Sequence, residues 1–167
     1  MSGVVVRPGR EADLSRINEI YNHYVLTSPA TFDLDAITME QRRSWLPQFS
    51  TASPYRLFVA EEGAAVLGYA NASQFRTKRA YDTTVETTVY CATEATGRGI
   101  GRLLYSALFD ALRDEDLHLA VAAITIPNDA SVALHERFGF TLTGVLHDVG
   151  RKFDRYWDVA WYEKRLG

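Results

Sequence analysis

The sequence predicts a mixed α/β fold, and three features of the chain support this class. A β-rich segment at 83–91 leads through a glycine-rich loop into a segment with helical periodicity at 100–112. The near-continuous apolar run at 117–126 is typical of a strand that is buried on both faces. Segments with the pattern of paired antiparallel strands stand on both sides of this alternation, which indicates a sheet covered by helices.

Local signals predict the elements of the first half of the chain. β-rich runs alternate with helical periodicity, and proline, glycine and serine mark the breaks. The predicted elements are a strand at 4–7, a helix from Asp13 to Ser28-Pro29, a helix at 39–49, and a hairpin of strands at 56–61 and 66–73. Thr38 is the expected cap of the second helix, because Gln41 follows it by three residues. The polar segment 74–82 predicts a loop.

The second half continues in the same way. After the strand at 83–91, the glycine loop opens a helix that ends near Arg113, and the buried strand at 117–126 follows. A short helix begins after its expected cap, Asn128, and ends at Gly139. The last predicted elements are antiparallel strands at 140–150 and 152–163. Because no repeat or linker interrupts this order, residues 1–167 are expected to form one domain.

The composition excludes several classes of protein. The 167 residues are 47% hydrophobic and 23% charged, as in an ordinary globular chain. The net charge of -3 argues against a nucleic-acid-binding protein, which usually carries a basic face. The N-terminal segment becomes charged too early for a signal peptide, and no stretch has the length of a membrane span. The single cysteine, Cys91, fits a reducing compartment, so a cytoplasmic protein is expected.

The alternating glycines Gly97, Gly99 and Gly101 predict an anion site. A helix N-terminus presents unpaired N–H groups and partial positive charge, and glycine lets an anion approach the backbone closely. The expected anion is a diphosphate. The loop lacks the Gly-Lys-Ser/Thr of a P-loop, and the third glycine of a dinucleotide fingerprint is missing in either register. On the motif alone, a flexible strand-to-helix turn stays open as the alternative.

Glu86 is the candidate general base. It lies within the predicted strand that leads into the glycine loop, on the face shared by Thr84, Thr88 and Tyr90. Acyl transfer to an amine requires the neutral amine, and a carboxylate can take up the proton directly or through a water. A solvated strand face is the alternative interpretation of this position.

Further side chains are suited to the same chemistry. His135 can orient the base or move its proton, although many histidines on amphipathic helices lie on the surface. Tyr105 can bond to a leaving thiolate or can simply pack in the core. Arg76, Lys78 and Arg79 can hold an oxyanion, or they belong to a solvated loop. One cysteine and four scattered histidines indicate no metal site.

Short motifs spread over most of the chain are shared with one family of enzymes. They are Ile20-Tyr21-Asn22-His23-Tyr24-Val25, Thr31-Phe32, Tyr81, Thr84-Val85-Glu86, Val89-Tyr90, Gly99-Ile100-Gly101, Leu104-Tyr105, Asn128-Asp129-Ala130-Ser131, Leu134-His135-Glu136, Gly139-Phe140, Val149-Gly150-Arg151-Lys152-Phe153 and Trp157-Asp158-Val159. Together they resemble the phosphinothricin N-acetyltransferase branch of the GNAT superfamily, which includes enzymes that act on methionine sulfoximine and methionine sulfone. The loop resembles the acetyl-CoA loop of that superfamily, with Thr96 in place of the usual glutamine or arginine.

This resemblance implies the fold and the reaction. The fold is that of GNAT acyl-CoA N-acyltransferases, a mixed and mostly antiparallel sheet of about seven strands flanked by about four helices. A central pair of its strands splays apart to admit acetyl-CoA. The reaction moves the acetyl group directly from acetyl-CoA to the primary amine of a small amino-acid-like substrate. No metal, membrane or nucleic acid is implied, and members of the branch are commonly homodimers.

The resemblance also implies a role for individual residues. Glu86 matches the proposed base, and His135 and Tyr105 match secondary catalytic candidates. The implied cofactor-binding residues are Val89, Tyr90, Cys91, Thr96, Gly97, Arg98, Gly99, Ile100, Gly101, Arg102, Asn128 and Ser131. The implied substrate-binding residues are Tyr21, Asn22, His23, Phe32, Phe75, Arg76, Thr77, Arg79, Tyr81, Glu86, Thr87 and Thr88. Two other functions stay open on the sequence, an acetyltransferase for protein or peptide N-termini and an acyl-CoA-binding module without catalysis.

Overall fold

A computed structural model describes residues 3–167, so Met1 and Ser2 of the expected domain lie outside the described residues. The strands are β1 Val5–Pro8, β2 Arg56–Glu62, β3 Ala65–Gln74, β4 Thr84–Cys91, β5 Leu119–Ile126, β6 Thr141–Lys152 and β7 Arg155–Arg165. The α-helices are α1 Leu14–Thr27, α2 Met39–Trp45, α3 Ile100–Leu112 and α4 Asp129–Arg137. Short 3-10 turns lie at Glu11–Asp13, Leu46–Gln48, Arg79–Tyr81 and Thr93–Ala95.

The seven strands form one sheet in the order β1-β2-β3-β4-β5-β7-β6. Every pair of neighbours is antiparallel except β4 and β5, which run parallel. This parallel pairing covers only three positions, from Thr84 opposite Leu119 to Glu86 opposite Val121. Beyond Glu86 the two strands separate, so their facing N–H and C=O groups have no partners in the sheet. The expected mixed sheet and its splayed central pair are confirmed.

The helix after the glycine loop buries a stripe of residues spaced by four. Ile100, Leu104, Leu108 and Leu112 are at most 2% exposed, and they face strands of the first half of the sheet. Tyr105 is fully buried beside this stripe, as expected if it packs in the core. Among the described residues, no helix has both the length and the apolar character needed to cross a membrane.

The side chains of β4 divide between the two faces of the sheet. The ring of Tyr90 packs against Tyr21 and Tyr24 of α1, with centroids 5.3 Å and 5.2 Å away. The hydroxyl of Thr87 lies 3.4 Å from the Tyr105 hydroxyl of α3. α1 and α3 therefore cover opposite faces. Because side chains alternate along a strand, Glu86 shares the α1 face with Tyr90.

The predicted cap of α2 is present, but the helix is shorter than expected. Thr38 Oγ1 accepts from the Gln41 N–H at 3.2 Å, and Gln41 Oε1 accepts from the Thr38 N–H at 2.8 Å. The regular helix ends at Trp45 and not at residue 49, because Pro47 has no N–H to continue the ladder. The chain tightens there into a 3-10 turn.

Two further predictions are wrong in detail. The last hairpin turns at Phe153 and Asp154, with φ of +53° and +57°, and not at residue 151. Two successive residues with positive φ usually carry an Asn-Gly signal, and Phe-Asp carries none. The strand β5 is not buried on both faces throughout, because Ala123 is exposed where β4 has separated from it.

Leu108 offers a test of the core. Leu108→Ala should lower the free energy of unfolding by about 3 kcal/mol, because it leaves a cavity at a fully buried site. Leu26→Ala removes the same atoms from a side chain that is 60% exposed, and it should change stability by less than about 0.5 kcal/mol. Urea unfolding followed by circular dichroism measures both values, and equal effects would contradict the packing of α3.

Candidate active site

A cavity of about 740 Å³ opens where β4 and β5 separate. Its wall contains residues 86–91 of β4 and 123–125 of β5, which alternate between the two faces of the sheet. On the α3 face the cavity reaches the glycine loop and the first turn of α4. On the α1 face it reaches Glu86 and the segment around Phe32. The cavity therefore passes through the sheet and joins the loop to the carboxylate.

The glycine loop can hold an anion. Gly97 and Gly99 have φ of +78° and +76°, and no atom lies within 4 Å of the position that a Cβ would take at either residue. Within residues 3–167, no backbone carbonyl accepts from the N–H groups of Ile100, Gly101 or Arg102, as in the first turn of any helix. The Gly101 N–H donates to the Cys91 thiol, so the N–H groups of Ile100 and Arg102 are the donors left for a ligand. The loop thus combines available donors with open space, which is the chemistry that a phosphate requires.

Ion pairs fix this loop to its neighbours. Arg98 donates to Glu62 at the end of β2, at 2.9 Å. Glu94 pairs with Arg16 of α1. Gly101 brings α3 close to α4, because a Cβ there would lie 3.1 Å from Leu134 Cδ2. The loop is anchored on both sides of the anion site, and the guanidinium of Arg98 is engaged outside it.

Glu86 is a half-buried carboxylate at the point where the strands separate. Burial raises its pKa above the ordinary value of 4.5, and the nearby charge of Arg76 partly opposes this shift. Among the described residues, no group donates a hydrogen bond to this carboxylate. A carboxylate with a raised pKa and no protein partner is suited to accept a proton from a ligand at neutral pH.

Tyr105 and His135 form a buried pair on the other face of the sheet. His135 Nδ1 lies 2.7 Å from the Ser131 carbonyl oxygen, so this nitrogen carries the proton and donates it. Nε2 then accepts from the Tyr105 hydroxyl at 2.8 Å. Burial lowers the pKa of His135 and raises that of Tyr105, so both side chains are neutral at neutral pH. The alternative of a surface histidine is excluded, because His135 is only 3% exposed.

Comparison with known proteins identifies the family. Residues 6–161 match the family described as acetyltransferase (GNAT) domain, which is most of the chain. The chain belongs to the GNAT acetyltransferase family. It is therefore an enzyme, and the expected family and fold are confirmed.

Individual relatives of this GNAT enzyme cover nearly its whole length. A phosphinothricin N-acetyltransferase of Streptomyces coelicolor is 57% identical over 98% of this chain and 96% of the relative. An L-methionine sulfoximine/L-methionine sulfone acetyltransferase of Salmonella typhimurium is 35% identical over 98% and 95%. The crystal structure of a phosphinothricin acetyltransferase from Sinorhizobium meliloti in complex with acetyl-CoA has a TM-score of 0.93 at 34% identity. It covers 100% of this chain and 90% of that one.

Most of the residues that the sequence assigned to the site line the cavity. Those in its wall are Phe32, Glu86, Thr87, Thr88, Val89, Tyr90, Cys91, Thr96, Gly97, Gly99, Ile100, Gly101, Arg102, Tyr105, Asn128, Ser131 and His135. The structure therefore brings together the expected base, the loop and the first turn of α4 around one space.

Other assigned residues lie outside the wall. They are Tyr21, Asn22, His23, Phe75, Arg76, Thr77, Arg79, Tyr81 and Arg98. Asn22 is engaged in two hydrogen bonds to the backbone of Ile37, so its amide supports the chain after α1. Aromatic contacts hold Phe75 in place, because its ring packs on Tyr81 and Trp161.

The sequence analysis missed part of the cavity wall. The missed residues are Tyr24, Ala30, Thr31, Ala95, Ala123, Ile124, Thr125, Ala130, Leu134, Leu146, Val149, Val159 and Trp161. A signal existed for two of them, because Val159 and Trp161 are two apart in β7 and so share one face. Nothing local in the sequence indicates that this face borders a cavity. In the range 3–167, no cluster of three or more His, Cys, Asp or Glu side chains is placed to hold a metal.

The raised pKa of Glu86 predicts a stability effect. A carboxyl group with a higher pKa in the folded state than in the unfolded state destabilises the fold once pH rises through these values. Glu86→Gln should therefore raise the melting temperature by a few degrees at neutral pH. Below the ordinary pKa of 4.5 the gain should vanish, because the wild-type carboxyl is then protonated. Calorimetric scans at both pH values test this, and a lower melting temperature at neutral pH would contradict it.

Proposed function

We propose that this enzyme moves the acetyl group of acetyl-CoA to the primary amine of a small amino-acid-like acceptor. The observation that carries the proposal is the position of Glu86, a carboxylate of raised pKa at the fork of β4 and β5. The cavity connects it to a loop that is suited to a diphosphate. The named acceptors of the relatives, phosphinothricin and methionine sulfoximine or sulfone, all carry the amine of an amino acid.

The donor side of the cavity fits coenzyme A. The open positions above Gly97 and Gly99 leave room for the diphosphate, and the first N–H groups of α3 supply donors. At residues 89–91 no strand pairs with β4 on the β5 side, so this edge can exchange hydrogen bonds with the amides of pantetheine. The Cys91 carbonyl at its end already accepts from the Tyr24 hydroxyl at 2.6 Å. Asn128 and Ser131 border the same space from α4, and Asn128 also caps that helix. Acetyl-CoA supplies an activated acyl thioester when it is bound there.

Glu86 is the proposed base. An amino-acid amine is protonated at neutral pH and has no lone pair until it loses a proton. The Glu86 carboxylate takes up this proton, directly or through a water, and the neutral amine can then attack the thioester carbonyl. Arg76 lies close enough to act on the charge of Glu86, and its guanidinium is the proposed partner of an acidic group on the acceptor.

Tyr105 and His135 are proposed to act on the leaving thiolate, from the face of the sheet opposite to the base. They lie on the α3 face, whereas Glu86 lies on the α1 face, so His135 does not orient the base. The leaving thiolate has an ordinary pKa of about 8.5 and needs no strong acid. Both side chains border the cavity, and the Tyr105 and Thr87 hydroxyls lie 3.4 Å apart. These hydroxyls can stabilise the leaving thiolate by hydrogen bonding, with no proton lost from the pair.

The acceptor end favours a small substrate over a peptide. Phe32, Val149 and Trp161 stand around the cavity on the side of Glu86, and such apolar side chains enclose a short acceptor. A peptide N-terminus would need an extended groove. Membership of an acetyltransferase family sets aside the alternative of a binding module without catalysis.

The decisive test compares acceptors and two variants. The wild type should release free thiol from acetyl-CoA with phosphinothricin, methionine sulfoximine or methionine sulfone, and not with peptides. Glu86→Gln should lower kcat by a factor of about 100 to 10,000, because proton removal is lost, and leave the Kd for acetyl-CoA nearly unchanged. Gly99→Ala should do the reverse and weaken acetyl-CoA binding, because φ of +76° is strained for alanine.

The measurements are steady-state kinetics by thiol release and calorimetric titration with acetyl-CoA. Wild-type turnover in Glu86→Gln would remove this residue from the role of base. Turnover of peptides in preference to amino acids would favour the alternative acceptor.

We also propose that the protein is a single-domain, cytoplasmic homodimer. One continuous buried core supports the single domain. The face formed by β6 and β7 supports the dimer, because it exposes large apolar side chains such as Leu142 at 54% and Tyr156 at 58%. A second copy of the chain is the proposed cover of this face.

Analytical ultracentrifugation tests the dimer. The wild type should sediment at twice the monomer mass, and Leu142→Asp or Tyr156→Asp should shift it towards the monomer, because each buries a charge in the interface. Leu26→Asp is the matched control, since Leu26 is 60% exposed on α1 and away from this face. A monomeric wild type would overturn the proposal.

A further inference from the structure

The acceptor end of the cavity is covered by residues 28–33, the roof segment, which follows α1. Ala30, Thr31 and Phe32 of this segment line the cavity, and Val149 of β6 borders the same space. The roof segment has no regular secondary structure of its own. Its position must therefore come from contacts with other elements.

Three hydrogen bonds tie Ala30 and Thr31 of the roof segment to other elements, in addition to the bonds of Ser28 and Asp33 to α1. The Tyr90 hydroxyl donates to the carbonyl of Ala30 at 3.2 Å, and the Tyr21 hydroxyl lies 2.7 Å from Thr31 Oγ1. The third comes from a distant part of the chain, because Lys152 Nζ donates to the carbonyl of Thr31 at 2.8 Å. The first two belong to the α1 side, and only the third ties the roof to β6.

Lys152 is an unusual residue for its position. It is 4% exposed, and none of the described carboxylates forms an ion pair with it. Burial lowers the pKa of its amine, although the more distant charge of Asp33 opposes this shift. A buried ammonium without a paired carboxylate is costly, and an apolar side chain would fill the same volume at less cost. The hydrogen bond to the roof segment requires a donor, and an apolar side chain at this position could not form it.

The same stretch of β6 makes room for the roof. A Cβ at Gly150 would lie 2.1 Å from Phe32 Cε2, so the ring of Phe32 occupies the space that any side chain at 150 would take. Two residues of β6 thus act on neighbouring positions of the roof segment. Gly150 admits the ring, and Lys152 holds the backbone beside it.

We propose that Lys152 is a positioning residue that sets the size limit of the acceptor by holding Thr31, and with it Phe32, over the cavity. The proposal rests on the proposed function, because the acceptor occupies the space under the ring. With the bond from Lys152 present, the ring closes this space against long side chains. Without it, the roof segment moves away from β6 and larger acceptors enter.

The experiment uses three acceptors of increasing size, methionine sulfone, ethionine sulfone and S-benzylhomocysteine sulfone. Lys152→Met keeps the length of the side chain and removes the donor. It should raise the KM for methionine sulfone about tenfold and leave the KM for acetyl-CoA unchanged, because one charge-assisted hydrogen bond is lost at the acceptor end only. It should also reduce the preference for methionine sulfone over the benzyl acceptor by about tenfold, as expected for one pocket contact.

Two matched variants separate positioning from general damage. Lys152→Arg keeps a cationic donor and should retain most of the wild-type preference. Lys164→Met removes another lysine, on β7, whose amine lies 5.6 Å from the Phe109 ring centre and away from the roof, and it should behave as wild type. Should Lys152→Met not fold, Phe32→Leu opens the same space and should raise kcat/KM for the benzyl acceptor.

The outcomes distinguish this inference from the proposed function. An unchanged preference in Lys152→Met or Phe32→Leu, or an equal loss of kcat/KM for all three acceptors, would overturn the inference alone. A parallel rise in the KM for acetyl-CoA would also overturn it, because a size limit acts only on the acceptor. A wild type that acetylates none of the three would overturn the proposed function, and the inference with it.

Discussion

The separation of β4 from β5 after three paired positions is the constraint on which the rest of the site depends. A continuous parallel pair would bury residues 87–91 between its neighbours and close the sheet. Because the pairing stops at Glu86, the sheet contains an opening that joins its two faces. The same opening exposes Ala123 of β5 and brings a carboxylate to its edge. The cavity is therefore a consequence of the sheet register, and side chains only shape its walls.

Strand alternation then divides the chemistry between two faces. On the α3 face lie the glycine loop and the Tyr105–His135 pair, and both side chains of this pair are neutral at neutral pH. On the α1 face lies Glu86, which burial makes a stronger proton acceptor. If the base and the neutral donor shared one face, they could hydrogen-bond to each other. This bond would lower the pKa of the base and make it a weaker proton acceptor. Opposite faces keep them apart, although both border one cavity.

The sequence predicted the parts of the fold and of the site that follow from local rules. The glycine loop, the strand before it and the cap of α2 each depend on residues close together in the chain, so periodicity and capping patterns found them. Trp161 and Val149 reach the cavity only through the pairing of β5, β6 and β7, and no local signal shows that pairing. The guanidinium of Arg98 pairs with Glu62, 36 residues earlier in the chain, and no local pattern indicates that partner. Patterns in a single sequence do not identify contact partners that are far apart in the chain.

The two ends of the cavity are fastened by different kinds of interaction. The glycine loop is tied by Arg98–Glu62 and Arg16–Glu94, ion pairs near the surface that solvent screens and that contribute little each. The roof segment is tied by a buried lysine, and its bond to a carbonyl is costly to leave unmade because this side chain is only 4% exposed. The glycine loop must admit and release a large nucleotide. Weak ion pairs suit this task, because breaking them costs little free energy when the loop adjusts. A roof that discriminates between similar small molecules needs a fixed geometry, and a buried charged donor enforces one.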